Sequence, residues 1–189
     1  FVIAGGYDEI LKGYCEITGF PAMPPKWALG YLQSRWGYKN RKLFEQIVNT
    51  ILSKKIPVDG MIIDVEWFSV EKMGNLAFDE KFFPKPAELI RKLHDKGIKL
   101  ILIQEPYIAN GSRNFRFIDK KGYAVKDVFG NAVQFCLWGR QTRMIDYTKP
   151  VVQKWWFGLM EKLIKLGVDG WWLDLNEPEN EFDDFLYHK

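Results

Sequence analysis

A chain of 189 residues, 47% of them hydrophobic and 27% charged, has the apolar material for one sizeable core and the length of one domain or part of one. Its 27 basic and 24 acidic residues leave a net charge of +3 with no basic block, which argues against nucleic acid or an anionic membrane as partner. No apolar run is long enough to cross a bilayer, and the first residues show no signal peptide.

Residues 1–24 hold a short helical pattern at 8–18 and a Gly/Pro-bearing connector ending at Pro24-Pro25. This stretch reads as the exit from a preceding domain, and residues 25–189 as the domain that follows. The apolar run at 27–32 is the first expected strand, followed by an amphipathic helix at 41–54. Residues 58–64 form a near-continuous apolar run, as expected of a strand covered on both faces. A helix at 86–96 stops at Gly97, with His94 near its end, where a cation suits the helix dipole better than it suits chemistry. Residues 98–104 (IKLILIQ) are the third buried run. A long irregular stretch leads to a helix at 150–166, opened by Pro150 and closed by Gly167. A fourth run, 169–174, ends the series. Strands alternating with helices imply parallel βαβ units.

Four strands and three crossover helices make about half of a (β/α)₈ TIM barrel, which needs about 250 residues to close. The expected fold is therefore α/β, the first half of such a barrel, with the rest of the same polypeptide needed to complete it. The alternative is an open doubly wound sheet. Against it, no Gly-rich phosphate loop follows any strand: Asp64-Val65-Glu66, Gln104-Glu105-Pro106 and Asp174-Leu175-Asn176 stand there instead. Cys15 and Cys136 are too few for a disulfide framework, lie at no metal-ligand spacing, and are expected to be buried structural residues. No metal and no organic cofactor is expected.

Reactive groups of a parallel barrel project from the C-terminal ends of its strands. Those ends carry Gln33, Arg35 and Trp36, then Asp64, Glu66 and Trp67, then Glu105, then Asp174 and Glu177. Any one carboxylate there is best read as a helix cap. Three strand ends bearing carboxylates, interleaved with tryptophan, point to a carbohydrate site. Glycoside cleavage needs one carboxylate below the anomeric carbon and one acid beside the leaving oxygen. Tryptophan offers a flat apolar face to a sugar's C–H surface and an N–H to a hydroxyl.

The segment GWWLDLNEPE at 170–179 resembles the nucleophile signature of glycoside hydrolase family 31: Trp-x-Asp, a Met or Leu, then Asn-Glu-Pro. PPKWALGYLQSRWGY at 24–38 and IPVDGMIIDVEWF at 56–68 resemble that family's first two strand regions. FDEKFFPKPAELIRKLHDKGIKLILIQEPYI at 78–108 resembles the next helix and strand, and MIDYTKP at 144–150 the lead-in to the helix after it. The resemblance implies a retaining double displacement through a covalent glycosyl-enzyme intermediate, with Asp174 as the nucleophile. It implies that Asp64 binds hydroxyls of the sugar in the −1 subsite, that Trp172, Trp138 and Trp67 contact substrate, and that Glu105 and Glu177 stand behind these groups. Two positions depart from the common pattern: Leu175 where many members have methionine, and Glu105 where many have aspartate.

The family's acid/base aspartate falls beyond residue 189, so residues 1–189 alone are expected to be inactive. IDVEWF, the MGNL at 73–76 and the 170–179 motif most resemble the bacterial α-glucosidase and 4-α-glucosyltransferase group, which implies an α-glucoside or oligosaccharide substrate and leaves hydrolysis or transglycosylation open. Periplasmic or secreted location is favoured over the cytoplasm. The alternatives are α-xylosidase or α-galactosidase activity, or a silent carbohydrate-binding remnant. Two more remain: a retaining β-glycosidase in which Glu177 is the acid/base residue and Asp174 auxiliary, and a protein interface formed by the aromatic strand ends.

Overall fold

The computed structural model describes residues 5–176; Glu177 lies outside the described residues. The first helix, α1 (Tyr7–Thr18), ends at Gly19, whose φ of 91° breaks the helix, and it contributes no buried residue. Pro25 then opens a 3₁₀ turn at Lys26–Leu29, and only after it does the first strand begin, β1 (Leu32–Arg35). The apolar run expected to be this strand is thus mostly turn. Its backbone is paired locally, Ala28 N–H to the Pro25 carbonyl at 2.9 Å and Gly30 N–H to that of Trp27 at 3.1 Å. Entry to the strand is fixed by Asp59, whose Oδ2 accepts from Tyr31 N–H at 2.9 Å and fills the space a side chain at residue 30 would need.

Helix α2 (Arg41–Ser53) is capped by Asn40, whose side chain accepts from Leu43 N–H, and buries Phe44, Val48 and Ile51 at helical spacing. Strand β2 (Gly60–Ile63) leads to α3 (Pro86–His94), with Leu89, Ile90 and Leu93 buried, and then to β3 (Lys99–Gln104). Helix α5 (Pro150–Leu166) starts at a proline in its first turn, stops at left-handed Gly167, and precedes β7 (Gly170–Leu173). The strands pair in parallel in the order β1-β2-β3-β7. Burial is nearly complete along β2 and β3 and falls away on the outer strands. This is an arc of a (β/α) barrel, unclosed among the described residues.

The irregular stretch expected after β3 is a folded layer of its own. It holds β4 (Tyr107–Ala109), α4 (Phe115–Lys121), β5 (Phe135–Leu137) and β6 (Arg140–Met144), with an antiparallel sheet in the order β4-β6-β5. Tyr107 and Phe135 meet edge to face in its core, ring centres 5.6 Å apart. A 3₁₀ turn at Val70–Lys72 threads against β4. Ala109 N–H donates to the Met73 carbonyl at 3.1 Å, and a Cβ on Gly111 would sit 2.4 Å from the Glu71 carbonyl, so only glycine fits there.

Two smaller expectations are settled by position. Cys15 is half-buried and Cys136 is exposed, so neither is a core residue; β5 turns Phe135 and Leu137 inward and the residue between them outward. His94 is a tie, its Nε2 lying 2.7 Å from Oδ2 of Asp169, which also accepts from Leu100 N–H at 2.9 Å. That contact pins the end of α3 to the entrance of β7. Among the described residues no helix is long and apolar enough to cross a membrane.

Candidate active site

The C-terminal ends of β1, β2, β3 and β7 share one rim, and above it opens a cleft of about 540 Å³. Carboxylates Asp64 and Asp174 line it, with Trp36, Trp138, Trp172 and Arg140. Asp174 sits one residue past β7, and its N–H donates to the Gln104 carbonyl at 3.0 Å, extending the β3–β7 ladder by one rung. The period of a strand places Trp172 on the same face as Asp174. Directly after Asp174 the chain turns: Leu175 has φ 55° and the Asn176 side-chain amide donates to the Asp174 carbonyl at 2.7 Å. A left-handed leucine costs roughly 1–2 kcal/mol, and the conformation persists because the ladder on one side and Asn176 on the other hold it.

Asp64 begins a 3₁₀ turn at Val65–Trp67, accepting from Val65 N–H at 2.7 Å. Partial burial pushes its pKa up, the Val65 amide draws it down, and the charge of Asp174 pushes it up again. The two aspartates therefore feel one another across the cleft floor.

Glu105 lies beneath them. It is 1% exposed, and neither carboxylate oxygen finds a hydrogen-bond partner among the described residues. The register that pairs Gln104 with Leu173 sets Glu105 level with Asp174. Burial first, then the charges of Asp174 and Asp64, push its pKa up to about 8. At neutral pH the protonated form of Glu105 therefore predominates. An acid whose pKa rises on folding binds its proton more tightly in the folded state, so its contribution is complete below the unfolded value near 4.5 and is lost as pH climbs through about 8. Between these limits stability should fall by up to ~1.4 kcal/mol per pH unit on this account alone. Replacing Glu105 with glutamine should flatten that slope in urea-unfolding midpoints measured from pH 5 to pH 8. An unchanged slope would remove Glu105 as its source.

Trp67 is a correction. Expected on the cleft wall, it is 0% exposed, donates from Nε1 to the Ile103 carbonyl at 2.9 Å, and meets Phe68 and Phe78 edge to face at 5.2 Å each. The turn capped by Asp64 folds residue 67 back into the core while residue 64 faces the cleft. Glu66 is likewise turned toward the Gly37 amide, its pKa raised chiefly by burial. Trp138, by contrast, sits 45% exposed in the two-residue loop between β5 and β6, and Trp172 is 37% exposed. The structure thus brings Asp64, Trp138, Trp172 and Asp174 to one cleft with Glu105 below, leaves Trp67 out, and adds Arg140, which sequence reasoning missed. The available signal for Arg140 was its place just past a Trp-Gly hairpin tip. Among the described residues no group of three or more His, Cys, Asp or Glu side chains is arranged to hold a metal ion.

Comparison with known proteins gives a consistent set. The family model described as glycosyl hydrolases family 31 TIM-barrel domain matches residues 21–188. Alpha-glucosidase 2 of Bacillus thermoamyloliquefaciens is 32% identical over 181 residues, covering 94% of this chain and 23% of its own length. The alpha-xylosidase of Saccharolobus solfataricus is 28% identical over 180 residues, covering 95% of this chain and 23% of its own. The structure of a Flavobacterium johnsoniae GH31 dextranase complexed with glucose superposes with a TM-score of 0.86 at 33% identity, covering 93% of this chain and 22% of that one. The chain thus spans about a quarter of the length of the relatives it matches.

Proposed function

Because the chain belongs to glycosyl hydrolase family 31, we propose that it is the nucleophile-bearing half of a retaining α-glycosidase barrel acting on α-linked glucosides. The observation that carries this reading is the convergence of Asp174 and Asp64 on one cleft between Trp138 and Trp172. Asp174 attacks the anomeric carbon as the leaving oxygen takes a proton, giving a glycosyl ester of inverted configuration. Water or a second sugar then attacks that ester and restores the α-configuration. Asp64 accepts from sugar hydroxyls, and the tryptophans hold the ring in register for attack. The proton donor and the strands that close the barrel come from the rest of the polypeptide.

Relatives named as alpha-glucosidases and a dextranase structure crystallised with glucose support an α-glucosyl substrate. Relatives named as alpha-xylosidases support α-xylose as the second reading, separable by comparing kcat/KM on aryl α-glucosides and α-xylosides. The deciding experiment is incubation of the intact polypeptide with 5-fluoro-α-glucosyl fluoride, followed by peptide mapping and fragmentation. The expected label is on Asp174. A label on Glu177, or turnover without any trapped ester, would overturn the assignment.

A further inference from the structure

We propose that Arg140 and Glu71 form a clamp that holds Trp138 over the cleft, so that Arg140 is a positioning residue for sugar binding. This rests on the reading of the cleft as a glycoside site. The first ground is the loop itself. Leu137 pairs with Arg140, leaving a two-residue turn of Trp138 and Gly139 with φ of 48° and 74°. Positive φ at both positions is the sign pattern of a type I′ turn, which favours Asn-Gly and not a bulky residue at its first position. Tryptophan in that place needs something outside the turn to keep it there.

Arg140 supplies it. Its Nη1 donates to the Trp138 carbonyl at 2.8 Å, and its Nη2 donates to Oε1 of Glu71 at 2.7 Å. A planar guanidinium can make both bonds at once, where an ammonium on a flexible stem has no fixed fork. The backbone of Glu71 is anchored in turn. It lies in the 3₁₀ turn at Val70–Lys72, where Lys72 Nζ pairs with Asp79 Oδ2 at 2.8 Å and Met73 accepts from Ala109 N–H at 3.1 Å. Gly111 closes against the Glu71 carbonyl from the other side. The hairpin tip is thereby tied through one side chain to a turn that belongs to the barrel arc.

The bond to the Trp138 carbonyl argues that Arg140 works through Trp138. The Glu71 carboxylate pairs with the guanidinium at 2.7 Å, and that bond draws the Glu71 pKa down. Two of the five guanidinium N–H donors are thereby committed, one to the hairpin tip and one to Glu71.

The test is a double-substitution cycle in the intact polypeptide, with an aryl α-glucoside as substrate. Arg140→Met should raise KM about fivefold, as expected for one partly exposed charged pair, with kcat little changed. Glu71→Gln, which keeps an acceptor, should raise it less. In a Trp138→Ala background, Arg140→Met should have no further effect; additive losses would mean that Arg140 meets the sugar itself and would overturn the proposal. A second readout does not depend on substrate: amide hydrogen exchange at residues 137–141 should quicken in Arg140→Met, and unchanged exchange would also overturn it. If the parent polypeptide turns over no α-glycoside while exchange still responds, the functional reading fails and the clamp stands.

Discussion

Replacing Asp174 with alanine should lower turnover of an aryl α-glucoside by the intact polypeptide roughly 10⁴–10⁶-fold, the scale seen when a nucleophile is removed. No neighbour can take over. Asp64 is engaged with the Val65 amide, and Glu105 is buried with its pKa raised to about 8. The fold should survive, because the residue's structural duty is carried by its backbone: the N–H bond to Gln104 does not involve the side chain. Thermal unfolding midpoints of parent and variant should therefore agree. Azide should restore activity and yield a β-configured glycosyl azide, since the small anion occupies the face the carboxylate vacated. An α-configured azide adduct, or a loss smaller than about a hundredfold, would show that another group attacks the anomeric carbon.

The second large effect concerns stability. Trp67→Ala should destabilise the protein by about 3–5 kcal/mol, the usual cost of deleting a fully buried large aromatic. The indole is 0% exposed and meets Phe68 and Phe78 edge to face, so its removal leaves a cavity in the core. Trp67→Phe should keep most of the packing and forfeit the bond to the Ile103 carbonyl, costing about 1–3 kcal/mol if that oxygen stays dry. Urea unfolding would measure both, and KM on the folded fraction should be unchanged. A wall residue would show the reverse: stability within about 0.5 kcal/mol of the parent and a raised KM.

How much of this could be read from the chain follows from the range of each signal. Strands β2 and β3 are covered on both faces, so their composition is continuously apolar and announces them. Helix α5 carries its own start and stop in Pro150 and Gly167. Strand β1 hid because it is an outer strand of polar sequence, Leu-Gln-Ser-Arg, placed next to a more apolar 3₁₀ turn. The β4-β6-β5 layer hid because its strands are three to five residues long, too short to show alternation, and β4 finds its partner only across α4 and β5.

The site divides in the same way. Asp64 and Asp174 are legible because a strand's end is legible, and Trp172 follows by alternation from Asp174. Trp67 was misplaced because its direction depends on a three-residue turn started by the Asp64 side chain, which strand reasoning does not contain. Arg140 had only its place after a Trp-Gly pair to mark it, since its partner Glu71 lies 69 positions earlier. Glu105 was visible as a residue but not as a neutral acid: that state arises from depth and from two neighbours on other strands.

The cleft draws its two aspartates from the parallel arc and one of its walls from the antiparallel layer, joined near the opening by Glu71 and Arg140. Such an arrangement makes the two halves of recognition separately heritable. A change in the hairpin can resize the mouth while the floor, built on the arc, keeps its spacing.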